Sequence, residues 1–166
     1  MRDRRGPAVR AVYLCKLSRV PDSATPREAL LPGLERLVVA SVAITARSLA
    51  EVAPELTFVQ WRALVLVSAA GDGLAMGLLA AALGSKIAAA SRLVGRLRAR
   101  GLLETRRADD DARVVLVSLT RHGRELHRRV VDRRRRELAV AAAAAATSTP
   151  AEALVGRLAD VLEGTA

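Results

Sequence analysis

Residues 84–119 read GSKIAAASRLVGRLRARGLLETRRADDDARVVLVSL, and the period of their apolar residues changes midway. From Lys86 to Arg100, Ile87, Ala90, Leu93, Val94 and Leu97 fall on one side of a helix. Gly101 follows, the residue type that ends helices in a left-handed turn. Beyond it the pattern is β-like. Leu102–Arg107 leads into the acidic, turn-prone Ala108-Asp109-Asp110-Asp111-Ala112, and Arg113–Leu119 returns as a β-branched run. A helix followed by a β-hairpin is therefore expected here.

Working outward, Gly84 breaks a short helix expected over Ala75–Leu83, itself preceded by the Gly71–Gly73 turn. Thr57 and Gln60 form a capping-box pattern that opens a helix from Phe58 to Ala70. Further upstream, Leu34, Leu37, Val38, Ser41, Val42, Thr45 and Leu49 trace a helical stripe ending before Pro54. Downstream, Thr120 caps a long helix to about Ala146, and Thr149-Pro150-Ala151-Glu152 opens a last one carrying Leu154, Leu158, Val161 and Leu162. Residues 1–29, with Pro7, Pro21 and Pro26, read as a flexible basic tail. The order is that of a mainly α protein with a central winged helix-turn-helix, in which the second short helix can lie in a DNA major groove. The outer helices must bury apolar faces, and a second copy of the chain is the natural partner.

Charge supports this division. The chain has 166 residues, with 27 Lys+Arg against 17 Asp+Glu for a net +10. Residues 84–136 hold 16 basic and 6 acidic groups, so their own balance, 16 − 6, equals that of the whole chain. Uniform Arg enrichment would not concentrate charge in this way, and the pattern points to a polyanion partner. The single cysteine, Cys15, rules out an internal disulfide framework and reads as an unremarkable thiol. His122 and His127 lie about 140° apart on a helix and read as two solvated surface histidines, not a metal site. Phosphate-binding Gly loops, zinc-binding helices and nucleophile elbows are missing from the sequence, so neither an enzyme nor a cofactor is expected. The apolar stretch Ala63–Gly84 is split by Gly71-Asp72-Gly73 into runs too short for a bilayer, and the N-terminus lacks a signal-peptide core. A cytoplasmic protein without membrane contact is expected.

Several segments together resemble the MarR-type (multiple antibiotic resistance regulator) transcription factors. They are Leu56-Thr57-x-x-Gln60-Trp61-Arg62-Ala63-Leu64, Leu79–Gly84, Ser91-Arg92-Leu93-Val94-x-Arg96-Leu97-x-x-x-Gly101-Leu102, Asp111-x-Arg113, and Leu119-Thr120-x-x-Gly123. The resemblance implies a DNA-binding lobe over 55–119 and dimerisation helices over 30–53 and 120–163. It further implies a homodimer on a pseudo-palindromic double-stranded operator, usually repressing, released by a small aromatic or other effector.

On this resemblance Lys86–Arg100 is the recognition helix, presenting Ser85, Lys86, Ala88, Ala89, Ser91 and Arg92 to the groove, with Arg96 further along. The wing would place Arg113 in the minor groove, braced by Asp111, with Arg106 and Arg107 at phosphates. Family members commonly carry Ser or Thr where this chain has Lys86, Ala88 and Ala89, and Pro where it has Ile87. Alanine can touch a thymine methyl but reads no donor or acceptor. Phe58 and Trp61 are candidates to line an effector pocket, against the plainer reading of core packing. Arg133–Arg136 covers all sides of a helix and reads as solvated surface. Two other functions fit the same pattern: a nonspecific architectural DNA binder, or a helical protein-interaction module without DNA activity.

Overall fold

The computed structural model describes residues 26–109 and 111–145. Helix α1 (Pro26–Val52) is followed by α2 (Phe58–Ala69), strand β1 (Leu74–Ala75), α3 (Met76–Ala82) and α4 (Ile87–Ala99). Strands β2 (Leu103–Arg107) and β3 (Val115–Leu119) form the hairpin, and α5 (Arg121–Ala145) follows. The mainly helical winged arrangement is the one the pattern predicts. The expected last helix and Cys15 lie outside the described residues.

Sharp local signals set the element ends. Thr57 accepts the Gln60 backbone N–H while its own N–H donates to Gln60 Oε1 at 2.9 Å, closing a capping box. At Gly84 and Gly101 the backbone turns left-handed, with φ of 63° and 67°. In both turns two amides cap the helix just ended: Gly84 N to Ala81 O and Ser85 N to Ala80 O, then Gly101 N to Arg98 O and Leu102 N to Leu97 O. The two motifs stop α3 and α4 abruptly, which fixes the angle at which α4 leaves α3.

Three features differ from the sequence reading. Helix α1 starts at Pro26 rather than near Leu34. Pro26 sits at its first position, where a missing N–H costs nothing, and the helix continues through Pro32. Strand β1, only two residues long, was not expected. It adds to β3 through Leu74↔Val117 and Ala75↔Leu116, giving an antiparallel sheet of order β1-β3-β2. The return strand begins at Val115, because Arg113 and Val114 belong to the wing turn.

The core lies where α2, α3, α4 and the sheet meet. Leu64, Val67, Leu79, Val94, Leu97 and Val117 are fully buried there, with Val130 from α5. The C-terminal half of α1 joins it, through Leu49, Val52 and the following Ala53. The buried hydroxyls of Thr45 and Ser48 donate to the carbonyls of Ser41 and Ile44, four residues back, so neither is left unsatisfied. Leu31, Leu37, Val38, Val39 and Val42 remain exposed. The chain divides into two units between Arg134 and Arg135. In the second, the described part of α5 exposes Leu138 and Val140.

Candidate nucleic-acid interface

Helix α4 is two-faced. Ala90, Leu93, Val94 and Leu97 are buried against the core, while Lys86, Ile87, Ala88, Ser91, Arg92, Gly95 and Arg96 are exposed. Ala89, expected in the groove, is half-buried between these faces. The exposed Ser85 sits in the turn before α4, its hydroxyl 3.5 Å from Ala80 O. Lys86 is the N-cap residue but makes no side-chain cap bond, and the first turn carries no acidic residue. Within this turn the Ala89 amide donates to Lys86 O at 2.9 Å, and the helix dipole favours an anion at this end.

The wing is held by its own backbone. Ala108 N donates to Val114 O and Val114 N to Asp111 O, each at 2.9 Å. Asp111 Oδ1 accepts the backbone N–H of Arg113 at 2.9 Å. Asp111 therefore shapes the turn through the Arg113 backbone, a role beyond the bracing of the Arg113 guanidinium that the resemblance implies. Arg107 Nη1 donates to the Ala112 carbonyl across the same turn. Arg106 pairs with Asp109 at 3.3 Å, an exposed ion pair of about 0–1 kcal/mol. Arg113 stays exposed at the wing tip.

Between α4 and the wing runs an open cleft of about 640 Å³. Ile87, Ser91, Val94 and Arg98 of α4 form one wall, Thr105, Arg113 and Val115 the other, and Met76 to Leu78 the end. Its interior is mainly apolar, with Arg98 and Arg113 as cationic groups. Sequence reading placed Ile87 on the apolar side of the helix with the core residues, whereas it is 62% exposed at the cleft. It missed Arg98 and Thr105, although the 87-91-94-98 spacing marks one helical stripe.

Neither Phe58 nor Trp61 lines this cleft. Trp61 is buried in the core, and Phe58 stands exposed at the start of α2. The Trp61 ring stacks on His127, centroids 5.1 Å apart and planes at 20°. His127 Nδ1 lies 3.5 Å from Ser68 Oγ. Burial, and then the neighbouring Arg134 guanidinium, hold the His127 imidazole below its ordinary value. His127 is thus not the solvated histidine expected; helical spacing places it on α5 but does not reveal that α2 packs against it. The arginine run is likewise not all solvated surface: Arg133 is largely covered and its Nε lies 2.6 Å from Glu51 Oε2 of α1.

Among the described residues no three His, Cys, Asp or Glu side chains group as a metal site. No single described helix is long and apolar enough to cross a membrane.

Residues 55–114 match the MarR family. The chain is similar to the crystal structure of RV1404 from Mycobacterium tuberculosis, with 28% identity, coverage of 87% of this chain and 98% of that one, and a TM-score of 0.71. It is similar to a mutant of MarR from E. coli, with 25% identity, 78% and 96% coverage, and a TM-score of 0.58. It also shares the fold of FabT from Streptococcus pneumoniae in complex with DNA, at 18% identity, 83% and 95% coverage, and a TM-score of 0.66. No curated protein sequence matches the chain significantly.

Proposed function

We propose, from the premise that residues 55–114 carry a winged helix-turn-helix of the MarR family of transcription regulators, that this chain is a dimeric, ligand-responsive repressor working in the cytoplasm. The observation that carries the reading is the exposed face of α4 beside the wing. Lys86, Ser91, Arg92 and Arg96 project from one, Arg113 from the tip of the other. Helix α4 enters the major groove, where Arg92 and Ser91 reach base edges or phosphates and Lys86 neutralises phosphate. Arg113 enters the minor groove, whose narrow walls focus negative potential. Arg106 and Arg107 lie along the wing strand beside phosphates.

A single such lobe grips one half-site. Leu31, Val38 and Val42 of α1 are exposed on one face of the helix, and a second copy of the chain covers them on this reading. A two-fold dimer then reads two half-sites about one helical turn apart. The cleft between α4 and the wing supports effector binding: a small anionic molecule with an apolar body suits its lining, and filling it would move the wing relative to α4.

A gel shift on the DNA upstream of the coding sequence, at controlled salt, tests the reading against scrambled duplex. A site-specific regulator prefers its operator by about 10³-fold or more. Equal affinity for both duplexes would instead identify an architectural DNA binder, which the donor-free Ala88 on the exposed face of α4 favours. Unchanged affinity in Arg92→Ala and Arg113→Ala would point to a protein-interaction module.

A further inference from the structure

Ile87 is a large aliphatic side chain left outside the buried core. It opens α4 on the side that carries Ala90 and Val94, yet is 62% exposed, because at the helix start that side faces the open cleft rather than the core. Ala88 beside it is exposed as well, and Leu78 of α3, across the mouth of the cleft, is 63% exposed. At the N-terminal end of α4 the exposed Ile87 and Ala88 thus form an apolar spot directly after the exposed Ser85 and Lys86, while the cations Arg92 and Arg96 follow further along. A surface that met only phosphates would gain nothing from a large aliphatic side chain at its leading edge. Base edges in the major groove offer one apolar group, the C5-methyl of thymine, and the N-terminal residues of a recognition helix are those that reach base edges.

We propose that Ile87 determines specificity by packing on a thymine C5-methyl, with Ala88 at its flank. The inference rests on α4 being the helix that enters the groove, and adds what its first turn reads there. Recognition by this chain then combines an apolar thymine contact from the first turn of α4 with hydrogen bonding from Ser91 and Arg92 one turn on.

The test uses the full chain and a duplex that it enriches from a random library. Each thymine of that duplex is replaced in turn by deoxyuridine, which keeps base pairing and the O4 acceptor and removes only the methyl. For the unaltered chain, replacement at one position or a few per half-site should weaken binding by about three- to fivefold, the worth of one buried methyl-sized group. Ile87→Ala, whose melting temperature is measured alongside and should match the parent's at this exposed position, should bind the thymine and uracil forms equally there. Ile87→Val should retain part of the discrimination. Indifference of the unaltered chain to uracil at every position overturns the inference, as does discrimination that persists in Ile87→Ala. Enrichment of no sequence overturns sequence-specific regulation and this inference together. An enriched site indifferent to uracil overturns only the latter.

Discussion

Gly123, in the first turn of α5, packs against the backbone carbonyl of Leu102, leaving no room for a side chain. A β-carbon at 123 would overlap the Leu102 oxygen and lie 3.3 Å from Leu119 Cδ2. The same junction is tied by hydrogen bonds. Thr120 N donates to Leu102 O at 3.2 Å, the Thr120 hydroxyl donates to Gly101 O, and Gly123 N donates to Thr120 Oγ1. Gly101 and Leu102 cap the end of α4, so the start of α5 is fastened to the end of the proposed recognition helix.

Gly123→Ala should therefore destabilise the protein, although alanine normally favours a helix by about 1 kcal/mol over glycine. The overlap is with rigid backbone, and a loss of about 2–3 kcal/mol is expected, in the range of overpacked sites. Chemical denaturation measures it. A variant as stable as the parent would show that the α4–α5 junction yields easily.

His127 makes stability depend on pH. Its imidazole is held below the ordinary 6.5 by burial and by Arg134, so the unfolded chain takes up the proton first. The residues packed around it, Trp61 and Ser68 of α2, offer no carboxylate to retain the charged form. As pH falls through 6.5, stability falls, and the loss is complete below the lowered folded value. Denaturation midpoints between about pH 8 and pH 5 should drop more steeply for the parent than for His127→Gln. Parallel slopes in the two proteins would remove His127 as the cause.

What could be read from the residues divides along physical lines. Helix α4 was legible because four of the five residues of its apolar stripe, Ala90, Leu93, Val94 and Leu97, are buried, Ile87 alone being exposed, and because Gly101 can take the left-handed turn that stops it. The same holds for Thr57 with Gln60, and for Thr120, whose side chains cap helices within four residues of themselves. Strand β1 was not, since two residues carry no alternation and Leu74 becomes a strand only by pairing with Val117. Trp61 and His127 stand 66 positions apart (127 − 61), and no local pattern announces their stack. The cleft behaves in the same way. The Ile87, Ser91, Val94 and Arg98 wall was present as a helical spacing, but the facing Thr105 and Val115 come from strands whose placement needs the whole sheet.

Asp111 should favour DNA binding through the turn, while its charge opposes it. Its Oδ1 accepts the Arg113 amide, a bond that an asparagine oxygen can also accept. Asp111→Asn should keep the wing geometry, and by removing a negative charge beside the DNA it should bind as well as the parent or better. Asp111→Ala also loses the charge but releases the turn, and should bind more weakly than Asp111→Asn. Side-by-side titrations separate the two effects. Equal affinity of the two variants would show that the turn does not need the side-chain oxygen.

Arg113 and Lys86 should differ in how salt modifies their loss. Both are exposed cations, but Lys86 lies at the N-terminus of α4 while Arg113 sits at the wing tip. Each cation that neutralises one phosphate contributes about 0.9 to the slope of log affinity against log salt. Lys86→Ala should therefore weaken binding on every duplex by a similar factor and lower the slope by about 1. An arginine inserted in a minor groove also senses groove width, which A·T-rich steps narrow. Arg113→Ala should lower the slope similarly, yet lose more affinity on a duplex with A·T-rich steps under the wing than on one with G·C steps there. Fluorescence anisotropy at several salt concentrations on the two duplexes measures both quantities. If Arg113→Ala loses equally on both, the wing contacts phosphate alone; if neither slope nor affinity changes, the wing does not touch DNA.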